Sequence, residues 1–178
     1  MKNQDHLSRV PITEDMMTYA NRVESMLKIE RTKTSPQDSQ IGVLGEIAFA
    51  NWLTGEWSWH DPTVRKGLVD FENSVEVKTS AFVWSQRLNL LVREDYASSR
   101  SPEFYVQVII DMKSRVEKSI KTGMDMILCG YASHAEVKNA PLRDFGSKFG
   151  GLGGYRCHFI PVKDLHSMET LKKHLSQK

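Results

Sequence analysis

A chain of 178 residues, 40% of them apolar, has the size of one ordinary domain and can bury most of the surface its unfolded form exposes. Its 24 basic and 22 acidic residues leave a formal charge of +2, so gross electrostatics announce no nucleic-acid partner and any positive surface has to be local. Nothing approaches the roughly 18 apolar residues of a membrane span, no signal-peptide pattern opens the chain, and Cys129 and Cys157 lack CxxC or Cys/His spacing. Buried thiols and a cytoplasmic setting, in a prokaryotic or phage-infected cell, are the expectation.

In chain order, Thr13 followed by Glu14 and Asp15 announces a helix running to about Arg31, with Met16, Ala20, Val23 and Leu27 on its apolar face. Ser35, Pro36, Gln37 and Asp38 announce a second helix to about Leu53: a cap, a first-turn proline and an acid that complements the helix dipole. Ile41, Leu44, Ala48 and Trp52 form its core face, Gly42 and Gly45 imply close packing on something flat, and Glu46 lies at the margin of that face.

From residue 57 the period shortens to β-like runs at Trp57 to His60, Gly67 to Phe71, Val75 to Thr79 and Leu88 to Val92, with Glu72, Asn73 and Ser74 making a hairpin of the middle pair. A short helix is expected at Asp95 to Ser99, and the nearly continuous apolar run Phe104 to Ile110 predicts a central strand. Met126 to Tyr131 and Tyr155 to Pro161 read as further strands, Ser133 to Glu136 as a capping box, and Ser167 to Leu175 as a closing amphipathic helix.

The chemistry concentrates in Gly67 to Ser80, GLVDFENSVEVKTS. Strand periodicity puts Glu76 and Lys78 on one face, and the hairpin brings Asp70 beside them. Two carboxylates and an ammonium at one end of a hairpin call for a cation between the carboxylates, and oxygen ligands with retained waters suit Mg²⁺. These residues resemble the PD-(D/E)XK nuclease superfamily, whose motif here reads Asp70, five residues, Glu76, Val77, Lys78, with Val69 in place of the usual proline. Glu46, in GVLGEIAF, fits the acidic residue that many members carry on the preceding helix.

The resemblance covers roughly Ser35 to Ile110. It implies an α/β fold with a restriction-endonuclease-like αβββαβ core, a central mixed β-sheet flanked by helices. One domain over 1–178 is expected, with a helical segment at 1–34, the core at about 35–111 and an extension at 112–178. It further implies Mg²⁺, replaceable by Mn²⁺, held by Asp70, Glu76, the Val77 carbonyl and Glu46, with Lys78 positioning or deprotonating the attacking water and offsetting transition-state charge. The implied activity is hydrolysis of DNA phosphodiester bonds, as an endonuclease in recombination, restriction or phage DNA processing, with exonuclease action also compatible, and the implied assembly is a homodimer. The alternative is an inactive nuclease-fold module that binds nucleic acid or protein.

Other features are weaker. Thr79 and Ser80 are candidate phosphate donors and equally ordinary strand residues. Gly146 to Gly154, GSKFGGLGG, lacks phosphate-cradling spacing, so no nucleotide cofactor is expected, and the loop reads as surface or as a DNA-gripping flap using Lys148 and Arg156. From Arg143 onward, seven basic residues face three acidic ones, an excess of +4 that suits either phosphate contact or a solvated face. Trp52, Trp57, Trp59 and Trp84 are expected in the core, and His60 ends a strand near the site. No HExxH or GxSxG pattern supports zinc or serine hydrolysis.

Overall fold

The structure, a computed structural model, describes residues 7–28, 36–59, 71, 74–117, 119–145 and 155–177. Strand β1 (Ser8–Pro11) leads into α1 (Glu14–Lys28), where Thr13 Oγ1 accepts the Met16 N–H at 3.2 Å and Met16, Ala20 and Val23 face inward. Helix α2 (Pro36–Thr54) starts on its proline, as expected, and buries almost all of its central turns.

The stretch expected as a strand at Trp57 to His60 is instead a 3₁₀ turn at Trp57–Trp59. The edge-on contact of Tyr19 on Trp57, with centroids 5.5 Å apart, makes its aromatic character a matter of helix packing and not of strand pairing. His60 and the expected strand at Gly67 to Phe71 lie outside the described residues, apart from Phe71, which makes an antiparallel bridge to Val75.

Next come β2 (Val75–Phe82), β3 (Asn89–Arg93), α3 (Glu94–Ser99), β4 (Phe104–Asp111), β5 (Asp125–Ser133) and α4 (His134–Asn139). The chain continues through β6 (Leu142–Phe145) and β7 (Tyr155–Pro161) to α5 (Met168–Leu175). The Ser133 capping box forms as read from sequence, with Ser133 and Glu136 exchanging hydrogen bonds at the start of α4.

The strands make two sheets. A four-stranded mixed sheet has the order β1-β5-β4-β2, with β2 parallel to β4 and the other pairs antiparallel. A three-stranded antiparallel sheet has the order β3-β7-β6. The strand at Leu88 to Val92 therefore joins the second sheet, not the central one, because its apolar pair Leu90 and Val92 packs against Tyr105, Ile109 and Ile127 on the far side of the first sheet.

Alternation along β4 shows the layering: Val106, Val108 and Ile110 face α1, α2 and α5, while Tyr105 and Ile109 face the second sheet. The fold is α/β, with helices over one face of a mixed sheet and a small second sheet over the other. Gly130 sits where the β4–β5 register shifts. Its φ of +138° and the His166 carbonyl oxygen, 2.5 Å from where a Cβ would stand, require glycine there.

Candidate functional site

Strand β2 has two faces with different jobs. Val75, Val77 and Ala81 enter the core beneath α2, so Glu76 and Lys78 must point to the opposite side, where Tyr105 is the register partner of Glu76 and Gln107 that of Lys78. Glu76 is 4% exposed. A carboxylate so deep in a fold persists as an anion only with compensating charge or donors.

One oxygen has that compensation: Glu76 Oε1 accepts from Lys78 Nζ and, at 3.1 Å, from Arg100 Nη1. The other, Glu76 Oε2, is buried with no hydrogen-bond partner among the described residues. Half of the carboxylate is thus held by two cations, while the other half has no donor among the described residues. Isolated carboxylate oxygens of this kind cost stability, which makes the group a candidate ligand.

Arg100 and Tyr96 complete the surround. Arg100 caps α3, its N–H donating to the Tyr96 carbonyl, and its guanidinium lies 4.6 Å from the Tyr96 ring centroid. Lys78 Nζ sits 5.7 Å from the same ring. The aromatic face and the shared carboxylate hold both cations in place. Burial, with the negative charge of Glu76 adding to it and Arg100 opposing, pushes the Tyr105 phenol up to about 12, so it stays protonated beside the carboxylate.

The remaining residues singled out from sequence fall in several places. Asp70 lies outside the described residues, as do Gly146 to Gly154 and Lys148 within them. Val77 occupies β2 with its side chain in the core, its carbonyl belonging to the strand that carries Glu76 and Lys78. Glu46 is half-buried on α2, which covers the other face of β2. It stands three residues, one helical turn, before Phe49, whose ring meets Phe71 edge-on with centroids 4.7 Å apart. Glu46 therefore belongs to the helix on the other face of β2 from Glu76 and Lys78.

Thr79 is not placed as a phosphate donor. Its hydroxyl is buried against Gly45 of α2, on the face away from Glu76, because a strand residue three beyond Glu76 must lie on the opposite side. Ser80 shares the Glu76 face by period and is half-buried. Arg156 pairs with Glu94 at 3.6 Å on the second sheet.

Among the described residues, the basic side chains Arg143, Arg156 and Lys172 of the C-terminal third do not gather in one place. Arg143 stands over Phe145 in β6, Arg156 belongs to β7, and Lys172 of α5 stands over Trp52 on the helical side. Among the described residues no set of three His, Cys, Asp or Glu side chains forms a metal cage, and no helix is long and apolar enough to cross a membrane.

Sequence reading missed Arg100, Tyr96 and Arg93. The available signal was the run VREDYASSR, a short helix bracketed by arginines just before the central strand, which the β2–β4 crossover had to deliver next to Glu76. Set against known proteins, the chain matches no family model, no curated protein and no solved structure, which leaves the site's own geometry and chemistry as the ground for its function.

Proposed function

We propose that the chain is a metal-dependent hydrolase of DNA phosphodiester bonds, an endonuclease of PD-(D/E)XK type, acting through Asp70, Glu76, Lys78 and Glu46. The observation that carries this reading is the buried Glu76 carboxylate, with Oε1 taken by Lys78 and Arg100 and Oε2 lacking a partner among the described residues.

A divalent cation fits the residues present. Glu76 Oε2 is a hard, buried oxygen without a donor among the described residues, and carboxylates with a carbonyl are the ligand set Mg²⁺ prefers, with Mn²⁺ able to replace it. Asp70, Glu76 and the Val77 carbonyl would hold it, and Glu46, on the helix over the other face of β2, would reach it through water. When bound, such an ion lowers the pKa of a coordinated water and neutralises phosphate oxygens. The chain's own residues do the rest. Lys78 places a fixed positive charge, about four-fifths buried, beside the position where phosphate charge develops. Arg100 keeps hold of Glu76 Oε1 when Lys78 turns to substrate, so the carboxylate stays oriented. The protonated Tyr105 fills the space behind Glu76 and keeps water out.

One feature favours a second reading, a module that binds nucleic acid without cutting it: both cations nearest Glu76 are already engaged by it, which is also what a purely structural ion cluster would show. The two readings separate in one assay. The purified chain is incubated with supercoiled, linear, single-stranded and four-way-junction DNA, in Mg²⁺, Mn²⁺ or EDTA, alongside Lys78→Ala. Metal-dependent cutting that is lost in Lys78→Ala is the expected result. DNA that is bound but never cut supports the binding module, and undiminished cutting by Lys78→Ala removes the site.

A further inference from the structure

Glu76 meets its two cations unevenly. Lys78 Nζ and Arg100 Nη1 both donate to Oε1, the second at 3.1 Å, while Oε2 is buried with no hydrogen-bond partner among the described residues. That is not the arrangement an arginine and a carboxylate reach when both are free to move. A guanidinium is a planar fork, and it binds most strongly with two parallel N–H groups on the two oxygens. Arg93 shows this preferred form in the same cluster: its Nε and Nη2 donate to Asp95 Oδ1 and Oδ2 at 3.0 and 2.7 Å.

The two arginines differ in what their carboxylates can do. Asp95 is an exposed side chain in the first turn of α3 and can swing onto Arg93. Glu76 is fixed in β2 and buried, so a fork there requires Arg100 to come to it. Tyr96 stands in the way of that movement. Residues 93, 96 and 100 lie at i, i+3 and i+7 along α3 and its two caps, which brings both arginines to one ring, with guanidinium carbons 4.8 and 4.6 Å from its centroid. Lys78 Nζ, arriving from β2, lies 5.7 Å from the same centroid. Both cations that reach Glu76 are therefore attracted to the Tyr96 ring as well, and both end on the same oxygen.

We propose that Tyr96 is a positioning residue of the site: by keeping Arg100 and Lys78 on Oε1, its ring stops Arg100 from forking across the carboxylate and leaves Oε2 for a divalent cation. The part that concerns the cation rests on the hydrolytic reading above; the hold on Arg100 does not.

Nuclear magnetic resonance of the full chain in EDTA reads that hold without any metal, the Arg100 guanidinium signals being assigned by their loss in Arg100→Gln. A guanidinium held by one N–H turns about its Cζ–Nη bonds and averages its Nη protons, whereas a fork stops the turning and separates them. Averaged signals are expected in the parent and in Tyr96→Phe. Separated signals are expected in Tyr96→Leu, which keeps apolar bulk but has no ring. Mn²⁺ titration followed by electron paramagnetic resonance reads the consequence. Tyr96→Leu is expected to weaken Mn²⁺ binding about tenfold, the scale of one desolvated contact between a cation and a ring, and Tyr96→Phe to restore it. The loss should also depend on Arg100: in the Arg100→Gln background, where no fork can form, Tyr96→Leu is expected to change Mn²⁺ affinity by less than about twofold.

An equal loss with and without Arg100 marks the ring as ordinary packing and overturns the proposal, as do Arg100 signals that stay averaged in Tyr96→Leu. A parent that binds no Mn²⁺ overturns the hydrolytic reading and with it the role of Oε2, while separated Arg100 signals in Tyr96→Leu still support the hold of the ring on Arg100.

Discussion

Gly45 is where α2 is pressed onto the strand that carries the site, and Gly45→Ala tests how much the fit matters. A Cβ at position 45 would stand 1.8 Å from Thr79 Oγ1, 2.7 Å from Cγ2 and 2.8 Å from Cβ, whereas ordinary contact begins near 3.4 Å. Turning the threonine about its first torsion moves Oγ1 away but leaves its Cβ at 2.8 Å, so helix and strand must part by about 0.6 Å or Thr79 must distort. Overpacking of this kind costs about 1–3 kcal/mol, and the better helix propensity of alanine returns up to about 1 kcal/mol.

The net loss of about 1–2 kcal/mol lowers Tm by roughly 2–8 °C in a chain of this size. Thr79→Ala in the Gly45→Ala background removes Oγ1 and Cγ2 and recovers part of the loss, with a coupling energy of at least about 0.5 kcal/mol in a double-mutant cycle. Thermal unfolding followed by circular dichroism reads both. A Gly45→Ala chain as stable as the parent or more so, with no coupling to Thr79, refutes the close contact and leaves only helix propensity at that position.

Three further outcomes follow from the same geometry. Arg100→Gln removes a charged hydrogen bond to a buried carboxylate and a ring contact; it is expected to cost about 1.5–3 kcal/mol, read as a fall in Tm of roughly 3–12 °C, and an unchanged Tm counts against the pair. The Tyr105 phenol, raised to about 12 when folded, adds stability that is complete below its ordinary value near 10 and is lost as pH climbs from there through 12. Tyr105→Phe should therefore flatten the alkaline limb of the stability curve, and a parent and variant that fall in parallel would contradict this. For Glu136, burial acts to raise the carboxyl, but hydrogen bonds from Ser133 and His166 outweigh it and hold the group below its usual value. Its contribution is present above pH 4.5 and fades as pH drops below that, so Glu136→Ala should cost about 1 kcal/mol at pH 7 and progressively less in acid.

Helices and strands with strong periodicity were legible in the sequence to within a few residues: α1, α2, β4, β7 and α5 lie where their patterns put them. Two short strands were not. Ser8–Pro11 and Leu142–Phe145 are four residues each, too brief for alternation to register, and they exist because β5 and β7 offer them an edge. Trp57–Trp59 went the other way, since aromatic residues that favour strands also fill helix crevices.

In the site, the adjacency of Glu76 and Lys78 follows from period two alone and could be read directly. Arg100 could not: it is 24 residues from Glu76, and only the β2–β4 parallel pairing brings it there. Thr79 shows the same limit from the other side, because the pattern fixes its face only once the helix packed on that face is known.

The central claim is that Asp70 and Glu76 serve one divalent ion. The most direct test is Mn²⁺ binding followed by electron paramagnetic resonance in the parent, Asp70→Asn, Glu76→Gln and the distant surface variant Lys173→Gln. The account predicts a saturable site in the parent and in Lys173→Gln that is lost or greatly weakened in Asp70→Asn and in Glu76→Gln. Binding that is absent from the parent, or that survives in both carboxylate variants, contradicts it.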